Sequence, residues 1–177
     1  MTIKVHLEDH PAARAAGNAE AETDFEHAIV DFVTNVTSQM GFPSEVAIMY
    51  REDNKVGLRL DSEYANILIG KKGKNLDALQ LLTNVVAGRF EENAPKVVLD
   101  TEGYRGRREE SLIRLAQKVG DQVKRTRKSK LLEPMNPFER RLIHTTLNDI
   151  EEIGTESEGE GLYKQVRVFY KGGKSNS

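Results

Sequence analysis

The stretch Ile69-Gly70-Lys71-Lys72-Gly73-Lys74 lies between a short apolar segment and a longer segment in which apolar residues recur at helical spacing. Gly70 and Gly73 have no Cβ, so the chain can turn sharply there and another backbone can approach closely. The backbone amides that open the following helix favour an anion, and the three lysines add positive charge. The stretch therefore predicts a loop that clamps a phosphate-containing backbone.

A lysine-rich Gly-x-x-Gly turn is also typical of surface connections that only join two helices. A nucleotide-binding P-loop requires Ser or Thr after its lysine, whereas Lys74 is followed by Asn75. The surrounding segments also lack the order strand, glycine loop, helix that the P-loop and the dinucleotide-binding fingerprint share. The sequence therefore disfavours nucleotide hydrolysis and redox chemistry, and the simple surface turn stays open at this point.

The charges of the 177-residue chain are unevenly distributed. The net charge is only -2, but residues 1–31 carry two basic and seven acidic side chains, whereas residues 101–130 carry ten basic and four acidic ones. A cationic segment within a mildly acidic protein favours a localised site for a polyanion.

Several kinds of site are excluded or disfavoured by residue type. The chain has no cysteine, which excludes disulfides, thiolate catalysis and cysteine-bound zinc. His6 and His10 flank two acidic residues, but a histidine pair near a terminus is typical of solvated side chains, so we expect no metal site and no cofactor. The N-terminus lacks the apolar core of a signal peptide, and no apolar run approaches about 20 residues. We therefore expect a cytoplasmic protein with no membrane segment.

Apolar periodicity divides the first part of the chain into helices and strands. Residues 1–22 are polar and predict a poorly ordered or weakly structured tail. Ser62 is placed to cap the short helix before the glycine loop. The predicted elements are, in order, a helix over 24–40, strands over 45–51 and 55–60, a short helix that ends at Ile69, a longer helix after the loop and a strand over 96–100.

This order of elements, over residues 23–102, resembles a type II KH domain. In that family the Gly-x-x-Gly loop lies between two helices and clamps the backbone of about four nucleotides, whose bases lie on an adjacent apolar groove. The resemblance implies that Ile69 lies at the groove edge. The residues that it implies hold phosphates are Gly70, Lys71, Lys72 and Gly73, and Lys74 is a further RNA-binding residue of the loop.

A basic helix is predicted over residues 103–129, as a linker to the C-terminal part of the chain. Its apolar stripe comprises Leu112, Leu115, Ala116, Val119 and Val123. Its basic residues are Arg105, Arg107, Arg108, Arg114, Lys118, Lys124, Arg125, Arg127 and Lys128. They favour an electrostatic track for nucleic acid, with Arg105, Arg107 and Arg108 as auxiliary contacts. A solvated helix face explains the same pattern, and both interpretations stay open.

The segment Asn136-Pro-Phe-Glu139 predicts the start of a helix, with Asn136 as N-cap and Glu139 completing a capping box. Arg140 and His144 lie four residues apart on this helix, so they point the same way and suit joint contact with a phosphate or a base. The helix is predicted to end at Gly154. A loop over 155–161 and a final strand over 163–170 follow.

Arg, three residues and His on a helix of a small domain, here residues 130–171, resembles the R-three-H domain, a binder of single-stranded nucleic acid. The resemblance implies that Arg140, Arg141 and His144 contact RNA. Thr155 and Ser157 are the auxiliary residues of this site. Residues 172–177 predict a flexible tail.

The combination of both motifs, over residues 24–171, resembles the Jag family of bacterial RNA-binding proteins, also called KhpB. The resemblance implies an α+β chain that binds single-stranded RNA without catalysis, as an RNA chaperone or post-transcriptional regulator linked to growth and division. It also implies a small KH-only protein partner or a homodimer. Many members carry a separate N-terminal Jag domain and a long linker, for which we expect the residues before Asp24 to be too few.

Other functions stay open from the sequence. One is a protein-interaction scaffold that dimerises through the KH domain. Another is a phosphodiesterase that uses His144 with Glu158 and Arg140, which the lack of a second nearby histidine disfavours. DNA also remains an alternative to RNA, because neither motif visibly contacts a 2'-hydroxyl.

Overall fold

The computed structural model describes residues 19–172 of the chain. This part divides into two compact units with the boundary between Gly106 and Arg107, and each unit has its own three-stranded sheet and apolar core. The predicted α+β fold class is confirmed. No helix among the described residues is long and apolar enough to cross a membrane.

The first unit is built around a crossover between two parallel strands. It comprises α1 (Asp24–Gln39), β1 (Glu45–Glu52), β2 (Lys55–Asp61), α2 (Ala65–Ile69), a 3-10 turn (Lys71–Gly73), α3 (Lys74–Phe90) and β3 (Lys96–Asp100). β2 lies in the middle of the sheet, antiparallel to β1 and parallel to β3. Because parallel strands need a crossover connection, α2, the glycine loop and α3 carry the chain from β2 to β3. The helices and strands predicted for this segment are all present.

The first core contains apolar side chains from every helix and strand of the unit. α1 begins after Thr23, whose Oγ1 accepts a hydrogen bond from the backbone N–H of Glu26 at 3.1 Å. Glu26 is only 4% exposed, and its carboxylate accepts hydrogen bonds from Nε and Nη2 of Arg51 at 2.7 and 2.9 Å. These bonds hold the pKa of Glu26 below its usual range. The pair therefore fixes α1 on β1. Core residues include Phe25, Ile29, Val33, Ile48, Leu58, Leu68, Leu76, Leu79, Val97 and Leu99.

The second unit packs two helices on an antiparallel sheet. It comprises most of α4 (Tyr104–Thr126), then β4 (Lys130–Leu131), α5 (Pro137–Asn148), β5 (Ile153–Glu158) and β6 (Gln165–Tyr170). β6 lies between β4 and β5 and is antiparallel to both. Core residues include Leu112, Ala116, Val119 and Val123 of α4, Ile143 and Leu147 of α5, and Ile153, Val166 and Val168 of the sheet.

The predicted start of α5 is confirmed in atomic detail. Asn136 Oδ1 accepts from the backbone N–H of Glu139 at 2.9 Å, and Glu139 Oε2 accepts from the backbone N–H of Asn136 at 3.2 Å. Glu139 is 6% exposed, and its Oε1 also accepts from Nε of Arg108 at 2.7 Å. Arg108 therefore joins α4 to the first turn of α5.

The prediction of a loop over residues 155–161 is wrong for residues 155–158, which belong to β5, whereas residues 159–161 do lie between two strands. β5 pairs with β6 along its whole length, from Ile153 opposite Tyr170 to Glu158 opposite Gln165. α5 accordingly ends at Asn148 rather than Gly154, and the last strand begins at Gln165. The error arises because β5 is polar, as an edge strand can be. Its carboxylates are compensated across the sheet, where Arg167 donates to Glu158 through Nε and Nη2.

Two other predictions need correction or a limit. Ser62 does not cap α2, because its Oγ accepts from the N–H of Tyr64 at 3.1 Å and donates to the carbonyl of Pro43 at 2.6 Å, before the helix begins. The helix predicted as a linker over 103–129 packs four of the five residues of its predicted apolar stripe into the second core, so it is not a free-standing connection, and only Leu115 of the stripe is exposed. His6, His10 and most of the predicted N-terminal tail lie outside the described residues.

Candidate nucleic-acid interface

The Gly-x-x-Gly loop has a backbone that most residue types do not adopt. The φ angles of Gly70, Lys72 and Gly73 are 69°, 57° and 77°. Left-handed backbone costs an ordinary L-residue roughly 1–2 kcal/mol, whereas glycine adopts it freely. Three of the four loop residues therefore need a conformation that favours glycine, and glycine occupies two of these positions.

Side chains on both sides of the loop occupy the space that a Cβ would need. A Cβ on Gly70 would lie 2.5 Å from Cγ of Asn75, and a Cβ on Gly73 would lie 2.7 Å from Cε1 of Tyr104. Asn75 is itself held by α2, because its Nδ2 donates to the carbonyl of Ile67 at 2.8 Å. The turn is thus closed from inside by the packing of Asn75 and Tyr104.

The lysines of the loop differ in their exposure. Lys71 and Lys74 are exposed, and Lys72 is half-buried. α3 begins directly after the loop, so its first backbone amides and its positive dipole end lie at the same place. The loop can therefore present positive charge and amide donors to an anion.

Ile69, predicted at the edge of the base-binding groove, is only 7% exposed and belongs to the core. Ile67 and Tyr64 are 44% and 39% exposed and lie on or next to the same short helix. They are the accessible apolar side chains of this segment, and periodicity alone did not distinguish them from Ile69.

Arg105, predicted as an auxiliary RNA contact, is held by the protein itself. Its guanidinium donates to Asp77 and Gln80 of α3 and to the carbonyl of Leu99 at 3.2 Å, and its backbone N–H donates to Asp100. These bonds join α3, β3 and the start of α4. Arg105 therefore stabilises α3, which begins directly after the loop, and Tyr104 beside it packs on Gly73. Neither role is visible in the sequence.

The second site is formed between α5 and β5. His144 Nδ1 lies 2.7 Å from Oγ1 of Thr155, and His144 Nε2 lies 2.9 Å from Oγ of Ser157. Thr155 and Ser157 are alternate residues of β5, so both point to the same face of the sheet. The structure thus brings together three residues that the sequence predicted for one site, and it does so through the strand that the sequence missed.

Arg140 and Arg141 are differently engaged. Nη1 of Arg140 donates to the carbonyls of Met135 and Leu162 at 3.1 and 3.0 Å, so Arg140 fixes the segment before β6 against the start of α5. Arg141 is exposed. Arg140 therefore has a structural role, whereas the side chain of Arg141 is exposed on the same helix.

His144 has a pKa below its ordinary value of 6.5, because burial disfavours the charged ring and the positive charge of Arg140 opposes protonation. The ring is consequently neutral near pH 7. A neutral imidazole donates from one nitrogen and accepts at the other, so one hydroxyl donates to the ring and the other accepts from it. Protonation makes both nitrogens donors, so the hydroxyl that had donated to the ring must now accept from it, and its own proton turns away from the ring. The site is thus a hydrogen-bonding surface whose donors change with pH.

Comparison with known proteins identifies both halves of the chain. A family model described as KhpA/KhpB, KH domain, matches residues 30–99, and the family model of the R-three-H domain matches residues 110–170. The second match begins within α4, in agreement with the packing of that helix.

Among residues 19–172, no three His, Asp or Glu side chains are grouped as a metal site.

Several curated proteins are similar over most of the chain. RNA-binding protein KhpB of Clostridium symbiosum is 36% identical over 154 residues, which cover 86% of this chain and 69% of that protein. RNA-binding protein KhpB of Bacillus subtilis is 36% identical over 143 residues, or 79% of this chain and 68% of that protein. For RNA-binding protein KhpB of Lactiplantibacillus plantarum the identity is 34% over 158 residues, but these cover only 48% of that protein.

The packing of Gly73 leads to a stability prediction. Gly73→Ala should destabilise the first unit by about 1–2 kcal/mol, because the residue has φ of 77° and its Cβ would press on Tyr104. Gly88→Ala, in the exposed part of α3 where a Cβ would meet no atom within 4 Å, should stabilise it by about 0.5–1 kcal/mol. Urea unfolding followed by circular dichroism measures both. Equal effects of the two substitutions would contradict the assigned loop geometry.

The surroundings of His144 lead to a pH prediction. In an NMR titration, the pKa of His144 should lie below 6.5, and Arg140→Gln should raise it by removing an opposing charge. Arg141→Gln removes the same charge one residue away and serves as the matched control. Because the pKa is lower in the folded than in the unfolded chain, His144 contributes stability above about pH 6.5 that is lost as the pH falls through the folded pKa. A pKa at or above 6.5 would be inconsistent with this environment.

Proposed function

The chain belongs to the KhpB family of RNA-binding proteins, as its resemblance to the Jag family predicted, and we propose that it binds single-stranded RNA at two separate sites. Both matched domains bind nucleic acid and are not catalytic domains. The observation that carries the proposal is the left-handed Gly70–Gly73 loop at the start of α3.

At the first site, the loop holds the RNA backbone. A phosphate approaches the outer surface of the turn, where Lys71 supplies charge and the first backbone amides of α3 supply donors. The bases then lie toward the accessible apolar side chains of Tyr64 and Ile67. A duplex cannot offer unstacked bases to such a surface, so single-stranded or loop RNA is favoured.

At the second site, His144, Thr155 and Ser157 supply hydrogen bonds and Arg141 supplies charge. The neutral ring orients the two hydroxyls, and protonation turns the donating hydroxyl outward toward a phosphate. Affinity for RNA should therefore rise as the pH falls below about 6.5. Two weak sites on one chain act together because binding at one raises the effective RNA concentration at the other.

A phosphodiesterase function has little support in the geometry of this site. Glu158, the carboxylate suggested as a partner for His144, is an ion-pair partner of Arg167 on β6. Arg167 lowers the pKa of Glu158 by hydrogen bonding, so the carboxylate is charged and engaged rather than ready to transfer a proton.

The family resemblance instead suggests post-transcriptional regulation linked to growth and division, which we propose as the cellular role.

The two-site proposal is tested by fluorescence anisotropy with a pool of random single-stranded RNA. Lys71→Asp with Lys72→Asp should weaken binding at least tenfold and reduce the salt slope by roughly 1.4, the value for two lost phosphate contacts. Aspartate tolerates the left-handed backbone at position 72, so the charge changes with little strain. His144→Gln with Arg141→Gln should weaken binding and remove its increase at acidic pH, while Arg140 keeps its structural bonds.

Lys55→Asp with Lys96→Asp is the matched control, because both lysines are exposed and lie at the start of their strands in the same unit. This variant should bind RNA like the wild type. If all four proteins are folded and none binds RNA or the corresponding DNA, the proposed function is incorrect. Equal binding of RNA and DNA would limit the claim to single-stranded nucleic acid.

A second function, association with another KH domain, is favoured by one side of α3. Leu81, Leu82 and Val85 are 58%, 51% and 49% exposed and recur at spacings of one, three and four residues. Such an exposed apolar row on a helix is typical of a contact surface. We propose that this row binds a small KH-only protein or a second copy of this chain.

Leu81→Asp with Val85→Asp should raise the dissociation constant of this association at least tenfold without unfolding the unit, because it places charge in an apolar contact. Sedimentation equilibrium of the chain alone, and of the chain mixed with a KH-only KhpA protein, measures the effect. Leu115→Asp, at a leucine of α4 that is 39% exposed, is the control and should leave association unchanged. A wild-type chain that is monomeric and does not bind KhpA would remove this second function.

A further inference from the structure

Four basic side chains form a line along the exposed side of α4. They are Arg107, Arg114, Lys118 and Arg125, and all four are exposed. Their spacings are seven, four and seven residues, so at 100° per residue they lie within about 20° of a single line along the helix. The line extends over 18 residues, or about 27 Å at 1.5 Å per residue. We call these four residues the α4 basic line.

The α4 basic line lies opposite the buried side of the helix. Leu112, Ala116, Val119 and Val123 are at most 2% exposed and enter the second core. Measured around the helix axis from Arg107, these four lie between about 120° and 180°. The basic line therefore points directly away from the unit, where a long ligand can lie along it.

Several other basic residues of α4 and of the segment after it have structural partners. Arg105 pairs with Asp77, Arg108 with Glu139 and Lys124 with Glu152. The guanidinium of Arg127 lies 5.3 Å from the centre of the Tyr170 ring. These residues join elements of the fold, whereas the α4 basic line is aligned on the outer surface. A helix that needed charge only for solubility would not require this alignment.

The groups around the line suit a phosphodiester backbone. An open depression of about 570 Å³ is lined by Arg114, Gln117, Lys118, Asp121, Gln122 and Arg125. The two glutamine amides can donate to phosphate oxygens or pair with base edges. Two acidic residues of α4 lie beside the line: Asp121 lines the depression, and Glu110 is 3.5 Å from Arg114 in an exposed pair that RNA can displace at little cost.

We propose that the α4 basic line is a third RNA-binding site, which binds the backbone of single-stranded RNA without regard to sequence through three or four phosphate contacts. The proposal rests on the proposed function, because it adds to the same activity. It differs from the loop site in the feature that binds the RNA backbone: α4 supplies regularly spaced charges, whereas the loop site depends on a left-handed turn. Regular charge along about 27 Å favours a long polyanion over a short ligand.

The test uses the full-length chain and a 24-nucleotide polyuridine RNA, with anisotropy measured between 50 and 200 mM KCl. Arg114→Gln with Lys118→Gln and Arg125→Gln should reduce the salt slope by roughly 2, which is 0.7 for each of three lost phosphate contacts. Over this range of salt the wild type should then lose about twentyfold more affinity than the variant. These exposed substitutions leave the second core intact.

The matched control is Lys55→Gln with Lys96→Gln and Lys171→Gln, which removes the same charge from exposed positions on other elements. A variant with Glu110→Gln and Asp121→Asn should increase affinity, because it removes the acidic neighbours of the line. A gain in binding cannot arise from unfolding. Binding of poly-glutamate is measured in parallel, since an acidic protein segment would also recognise a basic helix.

The outcomes separate the inference from the function on which it rests. A wild type that does not bind RNA overturns both. A wild type that binds RNA with the same salt slope as the α4 variant overturns the third site and leaves the other two. If only poly-glutamate binding falls in the α4 variant, the line is a surface for acidic protein and the RNA assignment is wrong. The third site is supported if the salt slope is smaller in the α4 variant but not in the lysine control, and if RNA affinity is higher in the variant with Glu110→Gln and Asp121→Asn.

Discussion

The left-handed turn between α2 and α3 is the constraint on which the first unit depends. Because β2 and β3 are parallel, the chain must cross the sheet, and it reverses within the four residues from Gly70 to Gly73. Asn75 and Tyr104 fill the space where side chains would otherwise point inward. The same packing leaves Lys71 on the outer surface. The residue choices that close the fold are therefore the ones that create the proposed anion site, so selection for either would retain both.

The elements that could be predicted from the sequence are those fixed by local chemistry. The capping box of Asn136 and Glu139, the helix after Thr23 and the β1–β2 hairpin each depend on residues that are close in the chain. β5 could not be predicted, because its polar residues resemble a loop and its pairing depends on β6. Arg167 compensates the carboxylate of Glu158 from the neighbouring strand. The contacts of His144 with Thr155 and Ser157 depended on that strand and were hidden for the same reason.

The basic residues show a related limit. The sequence counts the positive charges between residues 101 and 130 but does not show which of them the fold itself requires. Arg105 is held by a carboxylate 28 residues earlier and Arg108 by one 31 residues later. Both side chains are partly buried, where an unpaired charge is costly, so these arginines are required by the fold. Their burial distinguishes them from the aligned, exposed residues of the same helix.

In the proposed function, the loop site and the His144 site offer RNA different kinds of interaction. The loop of the first unit acts through positive charge and close backbone approach, and salt weakens such contacts. The second site is centred on a neutral histidine between two hydroxyls, because burial and the charge of Arg140 oppose protonation of the ring. Hydrogen bonds from neutral groups depend on geometry and little on ionic strength. A chain that combines both kinds of contact can hold RNA by charge and select it by shape. Single strands satisfy both requirements, since their phosphates and their unpaired bases are accessible together.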